Sequence, residues 1–243
     1  YLSERLLQLP YALLVIAGLA GTTPWFTRLG AARQLPELNR ALRIVCEPTL
    51  AVTLCAAVGL GVLALPIVQL LFVRGEFSPE DATVLAAVVL AYIPSLPFAA
   101  LAAQMVRARQ ALGDYRGPSI AAAVCVPLNL MLDFFLLPKY GVVAAGWATS
   151  CAMAAQFLIL AAGQSRHGLA FPLALRRLPR LLLPALGAGC VPFLVLRISI
   201  LETAPWLHLI LALLSGMVAA FVVAAASLPG EWRAMLSALR KSR

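Results

Sequence analysis

Asp133 stands in the middle of an apolar run, within the stretch Pro118 to Ser150, that is about long enough to cross a bilayer. One helical turn earlier comes Asn129. At i, i+4 the two side chains share a face and can converge on a common ligand. Pro127 precedes both, and a proline inside a helix frees a carbonyl that is tolerated at membrane depth where it lines a cavity or finds another donor. After a short break at Lys139, Tyr140 and Gly141, a second apolar run carries Thr149. For Asn129 and Thr149 two readings stand: they hydrogen-bond between helices, or they join Asp133 around a ligand. Asp133 itself points to function, because an ionisable group inside a span costs about 2.5 to 3.5 kcal/mol on insertion scales.

A second polar feature, Glu4 with Arg5, lies at the entrance of the first apolar run. It reads either as an interfacial ion pair that snorkels to water or as a cavity-facing guanidinium that grips an anionic head group through charge-assisted hydrogen bonds. Enzyme chemistry has little support. The two histidines, His167 and His208, fall in a loop and near the outer end of the last span, so neither a metal cluster nor a Ser/His/Asp arrangement suggests itself. No glycine loop of the kind that cradles phosphate is present. Binding and movement fit better than bond breaking.

The elements that must hold these residues are membrane helices. Of 243 residues 62% are hydrophobic and 12% charged, against about half and a quarter in soluble domains. Seven apolar runs of spanning length follow one another: Leu6 to Phe26, Ile44 to Val73, Val84 to Met105, Pro118 to Pro138, Val142 to Gly163, Leu181 to Ile200, and Trp206 to Leu228. Five spans fill residues 1–165; two more and a basic tail fill residues 166–243. The net charge of +9 could suggest nucleic acid, but the basic residues sit in short loops. The linkers after the first, third and fifth runs, with the tail, hold fifteen of the nineteen, from Arg28 to Arg243, against Arg74 and Lys139 on the other side. The positive-inside rule therefore puts the N-terminus outside and the C-terminus in the cytoplasm.

Local signals mark the boundaries. Ser78-Pro79-Glu80-Asp81 reads as an N-cap, a proline at the first helical position and acids in the first turn. Pro36 to Arg43 spaces Leu38 and Leu42 among charges and predicts a short helix on the cytoplasmic surface, as does Glu231 to Arg243. The five cysteines lie in or beside apolar runs without a C-x-x-C pair and read as small buried hydrophobes. The chain has no initiator Met and runs directly into a span, so the C-terminal part of a longer protein is expected.

Four stretches together resemble the MurJ/MviN family of lipid II flippases, within the multidrug/oligosaccharidyl-lipid/polysaccharide exporter superfamily. They are Glu4-Arg5-Leu6 with Gln8-Leu9-Pro10, the hairpin Leu71-Phe72-Val73-Arg74-Gly75-Glu76-Phe77-Ser78, the turn Gly113-Asp114-Tyr115-Arg116-Gly117-Pro118, and Ala145-Gly146-Trp147-Ala148-Thr149-Ser150. The likeness covers roughly residues 1–165 well and the last two spans by hydropathy. It implies an all-α polytopic fold in which this chain supplies helices eight to fourteen, the C-terminal lobe, of a fourteen-helix protein of the bacterial inner membrane. It implies movement of lipid II, an undecaprenyl-diphosphate-linked precursor, from the cytoplasmic to the periplasmic leaflet by alternating access against an N-terminal lobe. Arg5 would contact the diphosphate with Glu4 as its partner; the family usually has Asp there, one methylene shorter. The last two helices, Leu181 to Leu228, would line a groove for the lipid tail. Some members resemble a sodium-coupled carrier, and their pattern matches Asn129, Asp133, Thr149 and the carbonyl of Ala145, oxygen ligands that suit a hard cation. A further carboxylate would come from helix seven, outside this chain.

Overall fold

The computed structural model describes residues 17–75, 77–171, 178–197 and 205–227. Glu4, Arg5, most of the first apolar run and the tail from Glu231 lie outside the described residues. Eight α-helices and one short 3-10 turn make up the described chain, and no strand occurs among the described residues. They are α1 (Ala17–Ala31), α2 (Leu35–Phe72), α3 (Pro79–Tyr92), α4 (Ser95–Ala111), α5 (Arg116–Tyr140), α6 (Val143–Ala162), α7 (Leu178–Leu196) and α8 (Pro205–Ser227). Five stretches are long and apolar enough to cross a membrane: Leu35–Phe72, Pro79–Ala111, Arg116–Tyr140, Val143–His167 and Trp206–Val223; Leu182–Leu196 is shorter. The chain is a multi-pass, all-helical membrane protein.

The cytoplasmic end, as the sequence orients it, holds the larger core. Phe26 of α1, Leu38 and Leu42 of α2, Met105 of α4, Leu160 of α6 and Leu169 of the following linker bury one another there. Nothing between Arg43 and Ile44 breaks the helix, so Pro36 to Arg43 is not a separate surface helix. It is the first part of α2, and Leu38, Ala41 and Leu42 continue inward the same stripe as Val45 and Cys46. Asn39 ties this part of α2 to the linker: its Nδ2 donates to the Gly168 carbonyl at 2.9 Å, and its Oδ1 accepts from the Ala170 N–H at 2.7 Å. A second cluster, Ala64 and Val68 with Ala82, Ala86 and Val89, joins α2 to α3 at the other end. There Ser78 caps the helix as expected, and Asp81 completes a capping box. Ser78 Oγ accepts from Asp81 N–H at 3.1 Å, and the Asp81 carboxylate accepts from Ser78 N–H at 3.0 Å, satisfying two groups that a helix start otherwise leaves orphaned.

α7 and α8 pair with each other and lie on α2, with Leu63 of α2 buried against Leu209 and Ala212 of α8. His208 adds a polar tie, its Nε2 lying 2.6 Å from the Val195 carbonyl. Arg197 reaches the ring of Phe193, 5.1 Å from its centroid. Cys46 and Cys125 are buried as expected, but Cys151 and Cys190 are exposed. Lipid tolerates a small apolar thiol on an outward face, so an apolar run does not imply burial. The third apolar run is two helices, α3 and α4, with a break at Ile93 and Pro94.

Candidate functional site

α5 and α6 form an antiparallel hairpin through Gly141, whose φ of 63° is a left-handed conformation that glycine adopts without a Cβ penalty. The hairpin brings Asn129 of α5 against Thr149 of α6, and Asn129 in turn bridges to Asp133. With its amide nitrogen toward the carboxylate, Asn129 donates to Asp133 Oδ2 at 3.3 Å and accepts from the Thr149 N–H at 3.1 Å. With the amide turned over, Nδ2 donates instead to Thr149 Oγ1 at 3.3 Å. The first orientation satisfies both ends of the amide. Ala145 lies one turn before Thr149 on α6 and, like Asn129, Asp133 and Thr149, is part-buried.

Asp133 Oδ1 is buried and accepts no hydrogen bond, and no ion pair to Asp133 forms among the described residues. A buried polar oxygen without a partner is an uncommon feature that calls for an explanation. The neighbouring groups are an amide and a hydroxyl, which supply dipoles but no counter-charge. Carboxylate and hydroxyl oxygens, joined by the Asn129 carbonyl when its amide is turned over, form a donor set for a hard cation such as sodium, and the orphaned Oδ1 fits that use. Among the described residues no group of three or more His, Cys, Asp and Glu side chains could hold a metal.

A second carboxylate site lies at the end of the bundle that holds the larger core and is built in the opposite way. Arg109, in the last turn of α4, is 4% exposed. Its Nη2 donates to the Leu160 carbonyl at 2.8 Å, and its Nη1 lies 3.6 Å from Asp114 Oδ2. Asp114 Oδ2 also faces His167 Nε2 at 3.1 Å, while its Oδ1 accepts from the Gly117 N–H at 2.9 Å. The guanidinium is seated between two glycines: a Cβ on Gly117 would collide with Nη1, and one on Gly163 with Nη2. In the sequence Arg109 is one more basic loop residue, and only the turn Gly113-Asp114 with Gly117 hinted at order there. Glu47 of α2, 4% exposed, is a further carboxylate inside an apolar run. The signal that singles out Asp133 applies to it as well.

An open cavity of about 330 Å³ lies between α4 and α6, with Ala99, Ala102, Ala103, Arg107, Gln110 and Gln156 among its lining residues. Glu4 and Arg5 fall outside the described residues.

Known proteins corroborate the reading of these helices. The family model described as lipid II flippase MurJ matches residues 1–224. A probable lipid II flippase MurJ of Rhizobium meliloti (strain 1021) is 33% identical over 193 residues, covering 75% of this chain and 35% of that protein. The lipid II flippase MurJ of Thermosipho africanus (strain TCF52B) is 28% identical over 150 residues, covering 62% of this chain and 30% of that one. A solved structure, lipid II flippase MurJ in an inward closed conformation, superposes with a TM-score of 0.74 at 23% identity, over 92% of this chain and 45% of that one. At that identity the superposition speaks for the fold. The chain thus spans about a third of the length of these curated relatives. With the family model matched along nearly the whole sequence, the chain belongs to the lipid II flippase MurJ family.

Proposed function

We propose that this chain is the C-terminal lobe, helices eight to fourteen, of a lipid II flippase in the inner (cytoplasmic) membrane of a bacterium. Seven spans place its N-terminus in the periplasm and its C-terminus in the cytoplasm. With an N-terminal lobe of the same protein it moves the undecaprenyl-diphosphate-linked precursor from the cytoplasmic to the periplasmic leaflet by alternating access. Lipid II and the surrounding membrane lipids are its partners, and Leu181 to Leu228 offer the groove for the lipid tail. Arg5, paired with Glu4, contacts the diphosphate, where a guanidinium gives bidentate, charge-assisted hydrogen bonds.

Asn129, Asp133, Thr149 and the carbonyl of Ala145 hold a sodium ion, which when bound supplies the positive charge that Asp133 lacks. The observation that carries this is the buried, unpartnered Asp133 Oδ1 beside Asn129 and Thr149, in a chain of this family. The free energy of placing an acid in a span is offset when a cation arrives from water, so occupancy of the site and the state of the lobe are linked.

The test is transport of lipid II by the full-length protein in vesicles, in sodium against an inert organic cation. The expected outcome is transport that Arg5→Ala abolishes and that Asp133→Asn makes indifferent to sodium. Full activity of both variants, at normal membrane levels, would contradict the assignment. Transport of a different polyprenyl-linked glycan, with lipid II left in place, would reassign the substrate while keeping the fold.

A further inference from the structure

The break between α3 and α4 falls inside one apolar stretch, Pro79–Ala111, after the fourteen residues of α3. Two prolines cause it. Pro94 has no N–H for the Leu90 carbonyl, which accepts from Ile93 N–H at 3.3 Å instead. Pro97 has none for the Ile93 carbonyl, which accepts from Leu96 N–H at 3.1 Å. Leu96 N–H is thereby drawn away from the Tyr92 carbonyl, its regular helical acceptor, and Ser95 Oγ donates there at 2.6 Å.

The Ala91 carbonyl is met from another helix. Ser150 of α6, 4% exposed, donates its hydroxyl to Ala91 O at 2.7 Å. One turn earlier on α6, Gly146 lets the two backbones close up. A Cβ there would lie 2.6 Å from Ala91 Cβ and 3.0 Å from Tyr92 N. Broken helices at membrane depth are tolerated where side chains from neighbours re-satisfy the freed groups, and here those groups come from α6.

The same turn of α6 also serves the carboxylate site. Ala145 and Thr149 directly precede Gly146 and Ser150 in the chain, and Thr149 N–H and Oγ1 are the groups Asn129 bonds. One face of this turn therefore grips the break while the next face meets Asn129, which bonds Asp133 in turn.

We propose that the α3–α4 break is a hinge and that Gly146 and Ser150 couple it to the Asp133 site. Ser150 is a positioning residue: it acts on the break and touches no ligand. A change in how Asn129, Asp133 and Thr149 are arranged moves this turn of α6, and the Ser150 hydroxyl carries that movement to the Ala91 carbonyl. Coupling of this kind is reciprocal, so the angle of the break also sets the affinity of the site. The inference rests on the cation reading of Asp133.

The experiment uses the full-length protein in lipid nanodiscs, with spin labels introduced as unnatural amino acids at Val84 and Tyr115, both exposed, on either side of the break. Distances are compared in sodium chloride and in N-methyl-D-glucamine chloride of equal ionic strength. The expected result is a sodium-dependent shift in the unsubstituted protein that Asp133→Asn abolishes. Ser150→Ala should weaken the apparent sodium affinity about threefold, the range of one interhelical hydrogen bond, and shrink the shift. Gly146→Ala, which forces the backbones apart, should remove it. A shift lost in Asp133→Asn but unchanged in Ser150→Ala and Gly146→Ala would overturn the coupling and leave the cation reading standing. The absence of any shift in the unsubstituted protein, together with sodium-independent transport, would overturn the cation reading and the coupling with it.

Discussion

Two aspartates of this chain sit in polar clusters, and they are built on opposite principles. Asp114 has Arg109 at 3.6 Å, His167 at 3.1 Å and the Gly117 N–H at 2.9 Å. Its charge is answered within the fold. Asp133 has an amide on one oxygen and nothing on the other. An acid whose counter-charge is supplied by the protein holds helix ends together; one left without it is suited to a charge from outside. The Arg109–Asp114 cluster is read as structural for that reason, and the α5–α6 site as the working one.

The contrast can be broken most forcefully at Arg109. Arg109→Met removes one partner of a buried pair and leaves the Leu160 carbonyl unmet. A loss of about 3 to 5 kcal/mol is expected, read as a lowered denaturation midpoint of the full-length protein in detergent, with transport per folded molecule retained. A stable variant would show that the cluster does not hold the helix ends. At Asp133 the pattern reverses. Asp133→Asn should cut sodium-dependent transport about a hundredfold, the upper range for groups at a metal site, while the midpoint stays level or rises, because an uncompensated buried charge is gone. A falling midpoint with intact transport would make Asp133 structural.

Asn129→Ala sharpens the comparison, since it removes an orienting group but not the charge. A sodium affinity weakened about tenfold is expected, measured by the sodium concentration for half-maximal transport. The smallest effect belongs to a site with no part in either cluster. Ser78→Ala removes the cap of α3 and should cost about 1 kcal/mol, with unchanged sodium dependence.

What the sequence revealed followed from how local each feature is. Asn129 and Asp133 stand one turn apart in one apolar run, so their convergence could be read from spacing, and the short link at Gly141 brings in Thr149. The cap at Ser78 is equally local. Arg109 was not legible, because its burial depends on Leu160 and Gly163, far along the chain, closing over it. A basic residue beside a span reads first as a marker of the cytoplasmic side. The continuity of Pro36 to Arg43 with α2 also escapes a reading by charge, since Glu37, Arg40 and Arg43 look outward while Leu38 and Leu42 carry the stripe inward. The break at Pro94 and Pro97 escaped the reading by hydropathy, which takes Val84 to Met105 as one apolar run, and only the structure brings Ser150 to it.

The most direct measurement is binding of sodium itself: thermal denaturation of the full-length protein across a sodium series at constant ionic strength, beside the Asp133→Asn variant. A ligand that binds only the folded state raises the midpoint with concentration. The expected result is a midpoint that climbs with sodium in the unsubstituted protein and stays flat in the variant. Equal climbs in both, or none in either, would contradict the assignment of Asp133.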